Sequence, residues 1–274
     1  MTAASLQGAV LGTWGREPGT LTGRTMPLPE GVSLPFVIAS EAHVLNSATE
    51  WDPHVHSVHE LVWVRDGTMT ARVGRRVFTV AEGYGLWVPA GEVHAGRLTA
   101  KIRLYDAFFA PERIPRAFEG PAVVEMTPVL ESLLIHLSRS DLSPGERARA
   151  EAVVFDVLEP SQRQLAVQLP NDVKINPIAE AILTNPGDER SLDEWARELR
   201  TSTRTITRAF RAATGLTFSQ WRQSARIHRA LTLLADGVEV QDVSEMLGYA
   251  HPGTFIDAFR RVMGTTPGSF VNAS

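Results

Sequence analysis

Three histidines and a glutamate stand at spacings that suit a metal ion. His54, His56 and Glu60 share parity, so on one extended strand their side chains lie on one face, and His94 can arrive there from a neighbouring strand. Three imidazoles and a carboxylate form a competent donor set for zinc, manganese, iron or nickel. The chain has no cysteine, so any metal must be taken by His, Asp or Glu, and neither a disulfide framework nor a cysteine-ligated zinc finger can form. His59 has the opposite parity and reads as a packing or rim residue. A metal-free pocket for an organic ligand is the competing reading of the same residues. Catalysis at such a centre, as in an oxygenase or isomerase, would need a substrate-orienting group. Arg72, Arg103 and Tyr105 are the candidates, without distinctive spacing.

A second chemistry lies in arginine. The net charge of −4 argues against nucleic-acid binding only if it is spread evenly, and it is not. Between Glu198 and Asp236 there is no acidic residue, while Arg200, Arg204, Arg208, Arg211, Arg222, Arg226 and Arg229 all fall there. A helix that follows a break at Thr201-Ser202 and runs to about Ala213 puts Ile206, Ala209, Phe210 and Ala213 on one side. Arg204, Thr207, Arg208 and Arg211 occupy the other. Arginine forks match guanine edges or phosphates, and threonine matches phosphate or a thymine methyl.

The elements that must position these groups follow from periodicity. Residues 1–35, rich in Gly, Thr and Pro, read as an extended, poorly ordered arm. From 36 to 112, short β-rich runs (61–64, 69–73, 77–80, 86–88, 102–109) alternate with turn signals such as Asp66-Gly67, which predicts a β-barrel or jelly roll. Trp63 and Trp87 read as strand packing. From 113 to 172 a helical connector is expected, with Val129, Leu130, Leu133, Leu134 and Leu137 as an apolar stripe after Pro128 and a second helix over 144–158. That stripe packs within its own chain or forms a homodimer contact. The stretch 159–177, with Pro160, Pro170 and Pro177, reads as linker. From 173 to 274 the pattern is helical. Ser191 caps a short helix, 219–234 forms a long spacer, and the short-helix pattern then repeats from Val240 to Leu247 and from Pro252 onward. The fold class is therefore two-domain α+β, with an N-terminal barrel, a helical connector and a C-terminal all-α double helix-turn-helix.

Residues Leu247-Gly248-Tyr249, Phe255, Phe259-Arg260-Arg261, Gly264 and Thr266-Pro267 resemble the C-terminal signature of the AraC/XylS transcription regulators, over about 178–270. The resemblance implies double-stranded promoter DNA as partner, RNA polymerase as a further candidate, and two recognition helices in successive major grooves. The implied readers are Arg204, Thr207, Arg208 and Arg211 in the first unit and Thr254, Arg260 and Arg261 in the second. The second unit departs from the pattern through Ala250-His251-Pro252-Gly253, and Asp257 on its outward side repels phosphate unless it pairs with Arg260 or Arg261 or accepts from a cytosine amine. His54, His56, Glu60 and Gly67 resemble the first cupin motif, and Gly83, Pro89, Gly91 and His94 the second, with Leu98 where the family has its final Asn. Together these imply a regulator gated by a metal or small-molecule effector, with a cupin metalloenzyme fused to a DNA-binding domain as the alternative. The first ten residues lack a signal-peptide pattern and no run of about 18 apolar residues occurs, so a cytoplasmic, non-membrane protein is expected.

Overall fold

The turn signals of the N-terminal half end strands where they should. The computed structural model describes residues 20–23, 37–114, 118–161, 166–170 and 172–273. Its strands are β1 (Leu21–Thr22), β2 (Ile38–Leu45), β3 (Thr49–His54), β4 (His59–Arg65), β5 (Thr68–Val73), β6 (Arg76–Ala81), β7 (Tyr84–Val88), β8 (His94–Leu98), β9 (Ile102–Phe109), β10 (Ala122–Glu125) and β11 (Ala166–Gln168). The helices are α1 (Pro128–Leu137), α2 (Pro144–Val157), α3 (Asn176–Thr184), α4 (Leu192–Glu198), α5 (Thr203–Thr214), α6 (Phe218–Ala235), α7 (Val240–Met246), α8 (Pro252–Met263) and α9 (Pro267–Ala273). The chain divides into two compact units. Residues 75–79 group with the helical C-terminal residues, although they sit between strands of the β-rich unit in sequence.

In the β-rich unit one sheet has the order β1-β3-β8-β5 and the other β10-β7-β4-β9-β2. The arm expected over 1–35 lies outside the described residues except at 20–23, where Leu21 and Thr22 pair in parallel with Thr49 and Glu50. Alternation along β4, β7 and β9 separates two faces. One carries Leu61, Trp63, Trp87, Tyr105 and Phe109, and it is covered by Leu130, Leu134 and Leu137 of α1 and Ala150 and Val154 of α2. Leu130, Leu134 and Leu137 of the stripe thus pack inside their own chain, while Val129 stays exposed. Thr127 and Ser143 cap the two helices, the latter in a capping box with Glu146. Two buried charges tie α2 to β2: the Ile38 N–H donates to Glu151 Oε1 at 3.1 Å, and Arg147 donates to the Ile38 carbonyl at 3.2 Å. Trp63 and Trp87 are packing residues of this covered face, with Trp63 stacked on Tyr105.

The helical unit begins in a segment expected to be linker. Pro160 and Pro170 flank β11 rather than interrupting it, so a three-residue strand forms there and pairs with β6. Val77, Val167 and Leu169 join a core with Ile178, Trp195, Phe210 and Trp221, and the Trp221 indole donates to the Gln168 carbonyl at 2.6 Å. Ser191 and Glu194 form a capping box on α4, Ser202 caps α5, and Gly215 ends α5 at φ 74°. Helix α6 starts in a further capping box, Thr217 with Gln220, and buries residues along its whole length, which makes it the spacer between the pairs α4–α5 and α7–α8.

His228 of α6 is buried, with Nδ1 3.1 Å from Thr79 Oγ1, and burial pushes its pKa down to about 4. The folded state therefore keeps this imidazole neutral where the unfolded chain would protonate it. Stability is full above the unfolded pKa of about 6.5 and is lost as pH falls toward 4, by up to about 3 kcal/mol. Urea denaturation at about pH 7 and pH 5 should show about 2 kcal/mol of that loss. His228→Asn, which keeps a donor near Nδ1, should remove much of the slope; identical slopes in the two proteins would contradict it.

Candidate functional site

The predicted ligands come from β3, β4 and β8 and from the connection after β3, with Glu60 on the face of β4 opposite the covered core. His54 ends β3, His56 lies in the connection after it, and Glu60 is in β4. His54, His56 and Glu60 therefore do not share one strand: Pro53 sits at a register irregularity between Trp51 and His54, and the chain bends at Ser57-Val58 before β4 begins. The irregularity nevertheless places His54 directly across from His94. The three rings converge, with centroids 4.9 Å (His54–His56), 4.2 Å (His54–His94) and 5.0 Å (His56–His94) apart. Glu60 Oε2 lies 3.2 Å from His94 Nε2 and 3.6 Å from His56 Nε2.

Ring orientation is fixed from behind. His54 Nδ1 is 2.7 Å from the Asp52 carbonyl and His94 Nδ1 is 2.9 Å from the Glu92 carbonyl, so each Nδ1–H donates to backbone and Nε2 is left as the inward donor. One ligand atom from each histidine lies within 4.8 Å of the others. A tetrahedral zinc site with bonds of about 2.1 Å needs donors about 3.4 Å apart, which small rotamer changes would reach. Glu60 Oε2 and His94 Nε2 are both buried and, although close, make no hydrogen bond of acceptable geometry. Two orphaned donor atoms facing a cluster of imidazoles fit a cation.

The electrostatics agree. Burial, then His94, pushes His54 down to about 4, and burial lowers His56 despite Glu60, so both imidazoles are neutral and ready to ligate near pH 7. Burial opposes charge on Glu60, but the histidines hold it below the usual carboxylate range; burial likewise opposes charge on His94, where Glu60 prevails and raises it. Sequence reading missed Asp106, which burial and then Glu60 and Glu41 push well above the usual carboxylate value. It lies beside Glu41 and His43 in a second group of donor atoms. The available signal was a lone carboxylate in the apolar run 102–109. His59 accepts from the Ala90 N–H at 3.1 Å and stacks on Trp87, outside the cluster. The groups considered for substrate orientation do not converge either. Arg103 pairs with Asp66 at 2.6 Å on the surface, Tyr105 faces the covered core, and Arg72 alternates with Val73, the cross-strand neighbour of His94.

On the helical unit, α5 buries Ile206 and Phe210 and exposes Arg204, Arg208 and Arg211, with Thr207 half-buried between them. Among the described residues none of these arginines has an ion-pair partner on the protein. Helix α8 buries Phe255, Ala258, Phe259 and Met263 and exposes Thr254, Arg260 and Arg261. There Asp257 pairs with Arg260 at 3.2 Å, which occupies one of two arginines. Not all of the basic segment faces outward: Arg222 donates to the Arg190 carbonyl at 3.0 Å and Arg226 to those of Pro186 and Asp188 at 2.8 and 3.1 Å.

Residues 195–273 match the family described as a helix-turn-helix domain, and residues 43–119 match the cupin domain family. The chain is similar to the HTH-type transcriptional regulator NimR of Escherichia coli K12, 29% identical over 222 residues, or 80% of this chain and 81% of that protein. It is also similar to the HTH-type transcriptional regulator RipA of Corynebacterium glutamicum, 30% identical over 224 residues that span 77% of this chain and 61% of RipA. Among solved structures, the DNA-binding domain of AdpA in complex with a target DNA is 25% identical over 37% of this chain and 93% of that one, with a TM-score of 0.36.

Arg208→Ala should shrink the ratio of affinities for a preferred and a scrambled duplex about tenfold, as loss of one bidentate base contact would. Arg260→Ala should weaken both duplexes alike, by about threefold or less. Gel-shift titration with both duplexes measures this; intact preference in Arg208→Ala with lost preference in Arg260→Ala would contradict it.

Proposed function

We propose a function on the premise that this chain is an AraC/XylS-type helix-turn-helix transcription regulator with an N-terminal cupin domain: a divalent metal held by His54, His56, Glu60 and His94 gates its binding to promoter DNA. The relatives are transcriptional regulators and not enzymes. No helix among the described residues is long and apolar enough to cross a membrane.

The observation that carries the proposal is the convergence of three imidazoles, two of which have Nε2 directed inward by a backbone acceptor on Nδ1. His54 and His94 hold their rings through the Asp52 and Glu92 carbonyls, His56 completes the triad, and Glu60 supplies the carboxylate. When bound, a divalent ion would supply positive charge and an open coordination position able to take a chelating small molecule. Glu60 is the residue whose surroundings would change most, because its carboxylate touches two of the histidines and also Asp106. Two sites become coupled only if the ligand binds the DNA-competent and DNA-incompetent states differently. A route lies in the chain itself: β6 belongs to the cupin sequence, yet its residues 76–79 group with the helices.

On the DNA side, Arg204, Thr207, Arg208 and Arg211 of α5 carry most of the sequence discrimination, with Thr254, Arg260 and Arg261 of α8 adding phosphate and fewer base contacts. The exposed Val129, Ile135 and Val153 on α1 and α2 give the regulator a surface for homodimerisation.

Metal content of the full chain tests the proposal most simply, by elemental mass spectrometry on wild type and on a His56→Ala, Glu60→Ala double variant. Wild type should retain about one ion per chain and the variant under about one fifth of that. A wild-type protein empty after reconstitution with zinc, manganese, iron and nickel would sink the metal and leave an organic effector.

A further inference from the structure

Arg226 stands midway along α6, and three carbonyls converge on its guanidinium. Nε donates to Pro186 O at 2.8 Å, Nη2 to Asp188 O at 3.1 Å and Nη1 to Gly248 O at 3.4 Å, while the planar group lies 5.4 Å from the Tyr249 ring centroid. Pro186 and Asp188 belong to the loop that leads into α4, and Gly248 belongs to the turn between α7 and α8. One side chain therefore ties the entry of the first helix pair to the turn of the second.

The two loops also meet backbone to backbone. A Cβ on Gly187 would stand 2.6 Å from Met246 O, and one on Gly248, at φ +71°, would stand 3.1 Å from both Gly187 O and Arg226 Nη2. Glycine is required on each side of this contact because a side chain would force the loops apart. Arg222, one turn earlier on α6, extends the same seam to Arg190 O.

We infer that Arg226 is a positioning residue that locks the two helix-turn-helix pairs at one separation and angle, so that the protein accepts two half-sites at one fixed spacing. The inference rests on the reading that both pairs engage DNA. A rigid protein must match the helical repeat, where one inserted base pair shifts the second half-site by about 3.4 Å and rotates it by about 35°. If the clamp is loosened, each pair can still engage its own half-site while the penalty for misplacement falls. Three carbonyls contributed by two loops need a planar fork, which the point charge of lysine does not supply.

The test uses the full chain and an operator selected from a random duplex pool, with derivatives that carry one or two extra base pairs between half-sites and one that keeps a single half-site. Wild type should lose about tenfold or more on insertion. Arg226→Ala and Arg226→Lys should each lose under about threefold relative to their own intact-operator affinity, with single half-site binding within about threefold of wild type. Wild-type spacing dependence in Arg226→Lys would overturn the inference, because charge alone would then suffice. So would equal weakening of Arg226→Ala on intact and half-site duplexes with the dependence retained, or wild-type indifference to insertion. If Arg226→Ala fails to fold, Gly187→Ala wedges the same seam without touching the arginine. Relaxed spacing in that variant supports the clamp, and unchanged spacing refutes it. Wild-type binding without any sequence preference would instead remove the DNA-reading function itself, and the inference with it.

Discussion

A hydrogen bond from one ring nitrogen of a histidine fixes the tautomer and aims the other nitrogen, and in this protein two backbone carbonyls do this for His54 and His94. Asp52 O and Glu92 O each lie two residues before the histidine they hold, and the two histidines face one another across the β3–β8 pair. The rest of the cluster depends on this. With Nδ1 occupied, Nε2 points between the sheets, where His56 and Glu60 meet it. Packing on the other face of the second sheet keeps β4 and β9 in register: Trp63, Trp87, Tyr105 and Phe109 lie beneath α1 and α2, and the Arg147 and Glu151 contacts to Ile38 fix β2 at its edge. Burial then sets the charges. It lowers His54 and His56 so that both stay neutral near pH 7, and it raises Asp106 while the histidines hold Glu60 down.

The helical unit divides its arginines between two tasks. Those of α5 remain exposed, and among the described residues none is paired with a carboxylate. Arg222 and Arg226 of α6 turn inward, and their charges are spread over carbonyls instead of solvent. A half-buried guanidinium such as that of Arg226, with several carbonyl acceptors, is satisfied only where those acceptors are held in place, so the same hydrogen bonds also fix the loops.

Much of this was legible in the sequence, and the failures have definite causes. Helix starts at Pro128, Pro144, Ser191 and Pro252 follow from capping chemistry and proline at the first turn, which are local effects. The metal-ligating candidates were legible as residue types, but Pro53 interrupts the single strand their spacing suggests, and the geometry that unites them comes from an irregular strand and a bend. Strand β11 was hidden because flanking prolines resemble a linker and its partner β6 lies far away in sequence. The inward role of Arg226 was invisible, since its acceptors are backbone atoms of other segments and leave no pattern in residue type.

Gating of DNA binding by the cluster is tested most directly by operator affinity of the full chain, metal-stripped and metal-loaded, in wild type and in the His56→Ala, Glu60→Ala variant. If the cluster gates DNA binding, loading changes wild-type affinity by about tenfold or more and variant affinity by under about twofold. Equal affinity for operator in stripped and loaded wild type, with one ion bound per chain, would contradict it.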